Sequence, residues 1–116
     1  MKMQSETFLI FDDAKWKNAG EGMQRMILGY DDRIMMVKMH FDAKAEGSMH
    51  THPHSQCTYI ISGKFVFTIG EEKKTVSAKD ALYIAPDVPH GVTCIEEGEL
   101  IDVFSPTRED FLQNNN

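Results

Sequence analysis

Short β-prone runs, separated by turn-forming residues at intervals of about 8–12 residues, are the feature that most constrains the fold of this chain. Clusters such as Gly70-Glu71-Glu72 and Glu96-Glu97-Gly98 interrupt the apolar runs regularly. This spacing is typical of antiparallel sandwiches and barrels, and no long helical pattern competes with it. We therefore predict an all-β fold. The predicted strands are Phe8–Phe11, Met23–Leu28, Ile34–Phe41, Cys57–Ile61, Phe65–Ile69, Lys74–Val76, Ala81–Ala85, Gly91–Ile95 and Leu100–Phe104.

Turn residues between the central runs predict two hairpins. Cys57–Ile61 and Phe65–Ile69 flank Ser62 and Gly63, and glycine accepts the positive φ that a tight hairpin turn requires. A second turn at Gly70 is expected to join Phe65–Ile69 to the strand that follows it.

The last predicted strand, Leu100–Phe104, has two faces of different character. Because successive side chains of a strand alternate, Asp102 and Phe104 share one face, whereas Ile101 and Val103 share the other. An acid on the same face as an aromatic ring indicates a lined cavity more than a solvated surface.

Length and charge restrict the classes of function. A chain of 116 residues forms one domain, in which we expect N-terminal strands at 1–33, a barrel at 34–104 and a C-terminal tail at 105–116. The net charge of -6 argues against a nucleic-acid or anionic-membrane partner, since both require basic surfaces. No run is apolar enough for a membrane span or a signal peptide. Cys57 and Cys94 imply no disulfide framework, and we expect a cytoplasmic protein.

Histidines are unevenly distributed: His50, His52 and His54 lie close together, and His90 lies far along the chain. On a single strand, alternation would point His50 and His52 to one face, with Gln56 following on that face. Imidazole nitrogen and amide oxygen both bind metals, and His90 would complete a four-ligand site. By itself a His-x-His pair is more often a surface or hydrogen-bonded pair, so spacing alone leaves both interpretations open.

The segment from His50 to Gln56, with Gly63 beyond it, resembles the first motif of the cupin superfamily, a glycine, a His-x-His pair, a glutamate and a second glycine. Further on, Lys79–Cys94 resembles the second cupin motif, with His90 at its histidine. The resemblance covers about Ile34 to Phe104 and implies a single-domain cupin, a double-stranded β-helix or jelly-roll barrel. It also implies one divalent metal ion (Ni, Zn, Mn or Fe) bound by His50, His52, Gln56 and His90.

Several motif positions depart from the cupin pattern. Lys44 stands at the first glycine, and Gln56 replaces the glutamate. The glycine, proline, glycine and asparagine positions of the second motif hold Lys79, Ala85, Asp87 and Cys94. An amide ligand leaves a divalent ion with its full positive charge, which favours the polarisation of an anionic oxygen. Oxygen chemistry on iron, which also uses open histidine-rich sites, stays possible.

A narrower resemblance concerns the segment from Asp102 to Leu112. This segment, with Tyr59–Gly63, is similar to small cupins of the pectin-degradation (KdgF) type. That family converts unsaturated uronates, which pectin and alginate lyases release, into linear keto sugars. The resemblance implies that Asp102, Phe104 and Arg108 line the substrate site. In that chemistry Asp102 would move a proton and Arg108 would bind a carboxylate bidentately.

The expected partners are a small-molecule substrate, an anionic sugar by the resemblance, and a second copy of the chain. The apolar strand Phe8–Phe11 could pair across a two-fold axis in such a homodimer. Two other functions stay open, an iron-dependent dioxygenase and a non-catalytic sugar-binding cupin. For Asp102 and Arg108 the alternative is a structural ion pair, and for Phe104 it is core packing.

Overall fold

Ten strands and one short helix make up the part of the chain that the structure, a computed structural model, describes, which is residues 3–11 and 15–113. The elements are β1 (Lys17–Gly20), β2 (Met23–Tyr30), β3 (Met35–Phe41), β4 (Glu46–His50), β5 (Ser55–Ile60), β6 (Lys64–Ile69), β7 (Glu72–Ser77), β8 (Ala81–Ile84), β9 (His90–Glu96), β10 (Gly98–Ser105) and α1 (Glu109–Gln113).

The strands form two antiparallel sheets that face each other. The six-stranded sheet has the order β1-β2-β3-β10-β5-β8, and the four-stranded sheet has the order β4-β9-β6-β7. Connections such as β3 to β4 and β5 to β6 cross from one sheet to the other. This arrangement confirms the predicted all-β, single-domain jelly-roll barrel.

Apolar side chains from both sheets fill the space between them. The main cluster contains the buried residues Phe41, Ala45, Ile60, Phe65, Phe67, Cys94 and Leu100. Its centre is an edge-to-face contact between Phe41 and Phe65, whose ring centroids are 5.3 Å apart. Each fully buried side chain of this size stabilises the fold by about 1.5–3 kcal/mol. A smaller cluster of Met35, Val37 and Phe104 continues the core along the six-stranded sheet.

The two faces of β10 agree with the predicted alternation. Asp102 and Phe104 line a cavity inside the barrel. Ile101 and Val103 lie on the outer face, opposite Tyr59 and Cys57 of the neighbouring β5. The expectation of a lined cavity next to an acid and an aromatic ring is therefore confirmed.

The predicted strand Phe8–Phe11 is wrong. These residues form no strand, and the side chains of Phe8 and Phe11 are 81% and 72% exposed. The edge position beside β2 is taken by β1 instead. β1 has the sequence Lys17-Asn18-Ala19-Gly20, which contains no apolar run, and the sequence analysis missed it for that reason.

One of the two predicted hairpins is also wrong. β5 and β6 belong to different sheets, so Ser62 and Gly63 connect the sheets and do not close a hairpin. Gly63 has the expected positive φ of 86°, and a Cβ there would lie 2.6 Å from the carbonyl oxygen of Glu96. The turn is therefore held by packing against the β9–β10 turn. The second hairpin, β6 to β7 through Gly70, forms as predicted.

The predicted C-terminal tail contains the short helix α1. The final residues, 114–116, lie outside the described part of the chain.

At three motif positions the cupin pattern has glycine, but this chain has another residue. The backbone at these positions is nevertheless left-handed. Lys44, Lys79 and Asp87 have φ values of 76°, 80° and 65°. Their backbone N–H groups donate to the carbonyl oxygens of Cys94, Ile60 and His52 at 2.8, 2.9 and 2.9 Å. A left-handed L-residue costs roughly 1–2 kcal/mol. The surrounding hydrogen bonds therefore hold a conformation that these side chains disfavour.

We predict that Lys79→Gly raises the free energy of unfolding by about 0.5–1 kcal/mol. The change removes a left-handed cost of roughly 1–2 kcal/mol and adds a glycine entropy cost of roughly 0.5–1 kcal/mol. The control Lys74→Gly removes the same charge from the exposed strand β7, where we expect a loss of about 0.5–1 kcal/mol. Urea denaturation measures both variants. Equal destabilisation of the two would contradict the prediction.

Candidate metal centre and its cavity

A chain crossing between the sheets brings His50, His52 and Gln56 together. β4 ends at His50 in the four-stranded sheet, and β5, which carries Gln56, belongs to the six-stranded sheet. His52 lies in the connection at 51–54, where Pro53 cannot donate to a ladder. The prediction that one strand aligns the three side chains is therefore wrong, although the side chains do converge.

His90 joins this group from the start of β9. It pairs directly with His50 across the four-stranded sheet, and the two imidazole centroids are 4.3 Å apart. The His52 and His90 centroids are 4.7 Å apart. One nitrogen from each of the three rings lies within 4.8 Å of the others. His52 and His90 are buried, whereas His50 faces solvent.

Backbone carbonyls set the orientation of all three imidazoles. The Nδ1–H groups of His50, His52 and His90 donate to the carbonyl oxygens of Ser48, His54 and Val88 at 2.8, 3.2 and 2.9 Å. A carbonyl only accepts, so each ring carries its proton on Nδ1 and a lone pair on Nε2 when neutral. Burial lowers the pKa of both His52 and His90, which favours the neutral, metal-binding form.

Hydrogen bonds donated by the amide nitrogen set the orientation of the Gln56 side chain. Its Nε2 donates to Thr58 Oγ1 at 3.1 Å and to Asp102 Oδ1 at 3.2 Å. Its Oε1 consequently points toward His52 and lies 3.0 Å from Nε2 of that ring. A neutral His52 with its proton on Nδ1 places two lone pairs opposite each other here. A cation bound between imidazole nitrogens and this oxygen would satisfy both, and the donor set of three nitrogens and one oxygen fits a divalent metal.

Asp102 lies behind Gln56 at the wall of the cavity. Thr58 donates its hydroxyl to Asp102 Oδ1 at 2.5 Å, so both described hydrogen bonds to this carboxyl fall on one oxygen. Burial raises the pKa of Asp102 to about 6, while the bonds from Thr58 and Gln56 act in the opposite direction. The side chain therefore has a protonation equilibrium close to neutral pH, as an acid–base group requires.

The cavity has a volume of about 340 Å³, within the range of small-molecule sites. Its apolar wall includes Met39, Leu100 and Phe104, and its polar groups include Asp102 and Arg108.

Arg108 donates to Asp110 through Nε and Nη2 at 3.1 and 2.9 Å. Within the described residues its ion pair is thus with Asp110 and not with Asp102. The structural ion pair between Asp102 and Arg108, which the sequence analysis left open as an alternative role for these residues, is therefore not formed.

His54 lies beside the cluster without joining it. Its carbonyl accepts the Nδ1–H of His52, and its ring packs edge-on against Phe104 with a centroid distance of 6.3 Å. The backbone of His54, more than its side chain, orients His52.

Three residues of the site escaped the sequence analysis. Thr58 orients both Gln56 and Asp102, and its position two residues after Gln56 on one strand could have revealed it. Arg25 enters the cavity from β2, and Phe111 does so from α1. Alternation along β2 could have placed Arg25 inside, but no local signal marks Phe111.

Comparison with known proteins defines the class to which this fold and histidine cluster belong. The sequence profile of the cupin domain matches residues 37–104, which span β3 to β10. A solved RmlC-like cupin from Shewanella frigidimarina superposes with a TM-score of 0.92 at 40% sequence identity, covering 94% of this chain and 98% of that one.

Two relatives narrow this class further. The chain is 40% identical over 107 residues to the pectin degradation protein KdgF of Dickeya dadantii, covering 90% of this chain and 97% of that protein. The structure of KdgF from a Halomonas species superposes with a TM-score of 0.87 at 32% identity, covering 92% and 99% of the two chains. The chain is a cupin and belongs to the KdgF family, as its motifs predicted.

None of the described helical residues forms a segment of the length and apolarity that crossing a lipid bilayer requires.

We predict that His90→Ala lowers the affinity for a divalent metal by more than about 100-fold. Loss of a ligand should exceed the effect of losing an outer hydrogen-bond partner, which is about 10–100-fold. The control His54→Ala keeps the backbone carbonyl that orients His52 and should change the affinity less than tenfold. Titration of the metal-free protein with Zn²⁺ against a chelating dye measures both. Equal affinities in the wild type and His90→Ala would remove His90 from the ligand set.

Proposed function

We propose that this protein converts an unsaturated uronate, a product of pectin or alginate lyases, into a linear keto sugar by proton transfer. The observation that carries the proposal is the hydrogen-bond chain from Gln56 through Thr58 to Asp102, which links the histidine cluster to a carboxyl group with a pKa of about 6. The family relationship to pectin degradation proteins supports the choice of substrate.

The proposed ligands of the metal are His50, His52, Gln56 and His90, and the ion is Ni, Zn, Mn or Fe in the divalent state. When bound, such an ion supplies a Lewis acid that stabilises negative charge on an oxygen. Because Gln56 is neutral, the site keeps the full charge of the ion. An oxygen that carries developing enolate charge is the group that such a site stabilises most.

Asp102 is proposed as the proton-transfer residue. Ring opening and ketonisation of an unsaturated uronate add a proton at carbon and remove one from oxygen, so one acid–base group can serve both steps. Oδ1 of Asp102 is held by Thr58 and Gln56, and Oδ2 has no described hydrogen bond. Oδ2 is therefore the oxygen that exchanges the proton.

Phe104 and Arg108 are proposed to bind the sugar. The Phe104 ring forms part of the apolar wall and packs edge-on against His52 at a centroid distance of 5.8 Å, which limits the access of water. The Arg108 guanidinium lies 5.2 Å from the Phe104 ring centroid. It offers positive charge to an anionic sugar at the same end of the cavity.

We predict that Asp102→Asn retains the fold and the metal but turns over an unsaturated monouronate about 10²–10⁴-fold more slowly. Asparagine keeps the shape of the side chain but cannot exchange the proton. The control Asp32→Asn removes an acid from an exposed turn and should leave the rate unchanged. Loss of the absorbance of the conjugated carboxylate follows the reaction. A full rate in Asp102→Asn would exclude Asp102 as the proton-transfer residue.

The same assay distinguishes the two alternative functions. An iron-dependent dioxygenase would consume oxygen in step with its substrate, whereas proton transfer consumes none. A binding protein would bind uronates without turnover. Removal of the metal with a chelator should abolish turnover, and return of the divalent ion should restore it.

We also propose a cytoplasmic homodimer, although not through the predicted N-terminal strand. Cys57 and Cys94 are free thiols, in keeping with a reducing compartment. The outer face of the six-stranded sheet carries an apolar patch at β5, β8 and β10, where Tyr59 and Tyr83 are 47% and 60% exposed. Side chains from β5, β8 and β10 form one continuous surface on that face. A second copy of the chain is the occupant we assign to it.

Light scattering should give the mass of two chains for the wild type and of one chain for Tyr83→Lys, because a charge in an apolar interface is costly to bury. The control Thr75→Lys adds a lysine to the exposed strand β7 and should remain dimeric. A monomeric wild type would contradict the homodimer, and a dimeric Tyr83→Lys would place its interface elsewhere.

A further inference from the structure

Two guanidinium groups approach the same aromatic ring at one end of the cavity. The Arg25 guanidinium carbon lies 3.6 Å from the centroid of the Phe111 ring, and that of Arg108 lies 4.2 Å from it. Arg25 comes from β2 and Arg108 from the segment before α1, so residues distant in sequence place two like charges together. Such an arrangement is unfavourable unless an anion lies between or beside the two cations.

The two arginines differ in how far their hydrogen-bonding capacity is used. Arg108 donates two bonds to the carboxylate of Asp110, which compensates its charge. The Nε of Arg25 is buried and has no hydrogen-bond partner in the part of the chain that the structure describes. No ion pair to Arg25 occurs among those residues either. A buried guanidinium donor without an acceptor is costly, and an incoming ligand oxygen would remove that cost.

The surroundings of Arg25 make an anion the matching ligand. Its neighbour across the sheet is Met39, and the adjoining wall of the cavity contains Met23, Phe41 and Leu100. Burial and the nearby Arg108 both lower the pKa of Arg25, whereas Asp110 and Asp102 raise it. In this apolar setting a carboxylate is held more strongly than at the protein surface.

We propose that Arg25 is the specificity-determining residue that binds the carboxylate of a sugar-acid substrate, while Arg108, held by Asp110, adds charge without supplying the main hydrogen bonds. The unsaturated uronate of the proposed function is such a substrate, and the inference rests on that function for the identity of the sugar. Recognition of a hexuronate carboxylate by Arg25 does not require that the protein turn it over.

Galacturonate and its methyl ester are the probes, because esterification removes the negative charge of the carboxylate and adds only a methyl group. Calorimetry should show that the wild-type metalloprotein prefers the acid over the ester by about 10–100-fold, the range for charge-assisted hydrogen bonds. Arg25→Gln should lose this preference while binding the ester as the wild type does. Arg25→Lys keeps the charge without the planar fork and should retain part of the preference. The control Arg33→Gln removes an exposed arginine and should change nothing.

Three binding results would overturn the inference. No preference for the acid in the wild type, or an unchanged preference in Arg25→Gln, removes Arg25 from carboxylate binding. An equal loss of acid and ester affinity in Arg25→Gln would mean that Arg25 only supports Phe111. Turnover of an unsaturated monouronate, measured in parallel, distinguishes the role of Arg25 from the proposed enzymatic function. An Arg25-dependent preference without turnover contradicts the enzymatic function alone, and turnover with a KM that Arg25→Gln does not change contradicts the role of Arg25 alone.

Discussion

The amide of Gln56 connects the two halves of the site because its ends have opposite hydrogen-bonding character. Its oxygen faces the imidazole cluster, and its nitrogen donates to Thr58 and Asp102. A glutamate at this position, as in the usual cupin motif, would direct a second acceptor toward the carboxyl group of Asp102. The two negative groups would repel each other, or one would have to hold a proton. The glutamine and the buried acid are therefore chemically dependent on each other.

The rest of the site depends on the way the two sheets are joined. Backbone carbonyls of Ser48 in β4 and of His54 and Val88 in the connections before β5 and β9 orient the imidazoles, so the ligand geometry is fixed by main chain that the barrel itself holds. The apolar core around Phe41 and Phe65 closes one part of the barrel, whereas the histidines and Asp102 border the open cavity. The core and the cavity adjoin each other, because Phe41 and Leu100 of the core also line the cavity.

Local patterns predicted most of the fold. Short β-prone runs between turn residues located eight of the ten described strands approximately, and two-residue alternation placed Asp102 and Phe104 on the same face of β10, which lines the cavity. The motifs named the four side chains that converge. Alternation could not show that the chain crosses between sheets at 51–54 and at Gly63, because packing against distant turns decides those crossings. Alternation along β2 is enough to place Arg25 inside, whereas Phe111 enters the cavity through the position of α1, which no local pattern indicates.

The left-handed residues at Lys44, Lys79 and Asp87 show what the glycines of a cupin motif represent. At these three positions the glycine marks a backbone shape, which this chain reproduces with larger residues, whereas Gly63 is kept because a Cβ there would lie too close to the backbone of the β9–β10 turn. At Asp87 this backbone conformation contacts the histidine cluster directly. The N–H of Asp87 donates to the carbonyl of His52, and the carbonyl of the next residue, Val88, accepts from His90. Divergence within such a family can therefore alter every glycine of a motif while the ligand geometry stays constant. A search for relatives that weighs backbone conformation will recognise members that residue identity at these positions would reject.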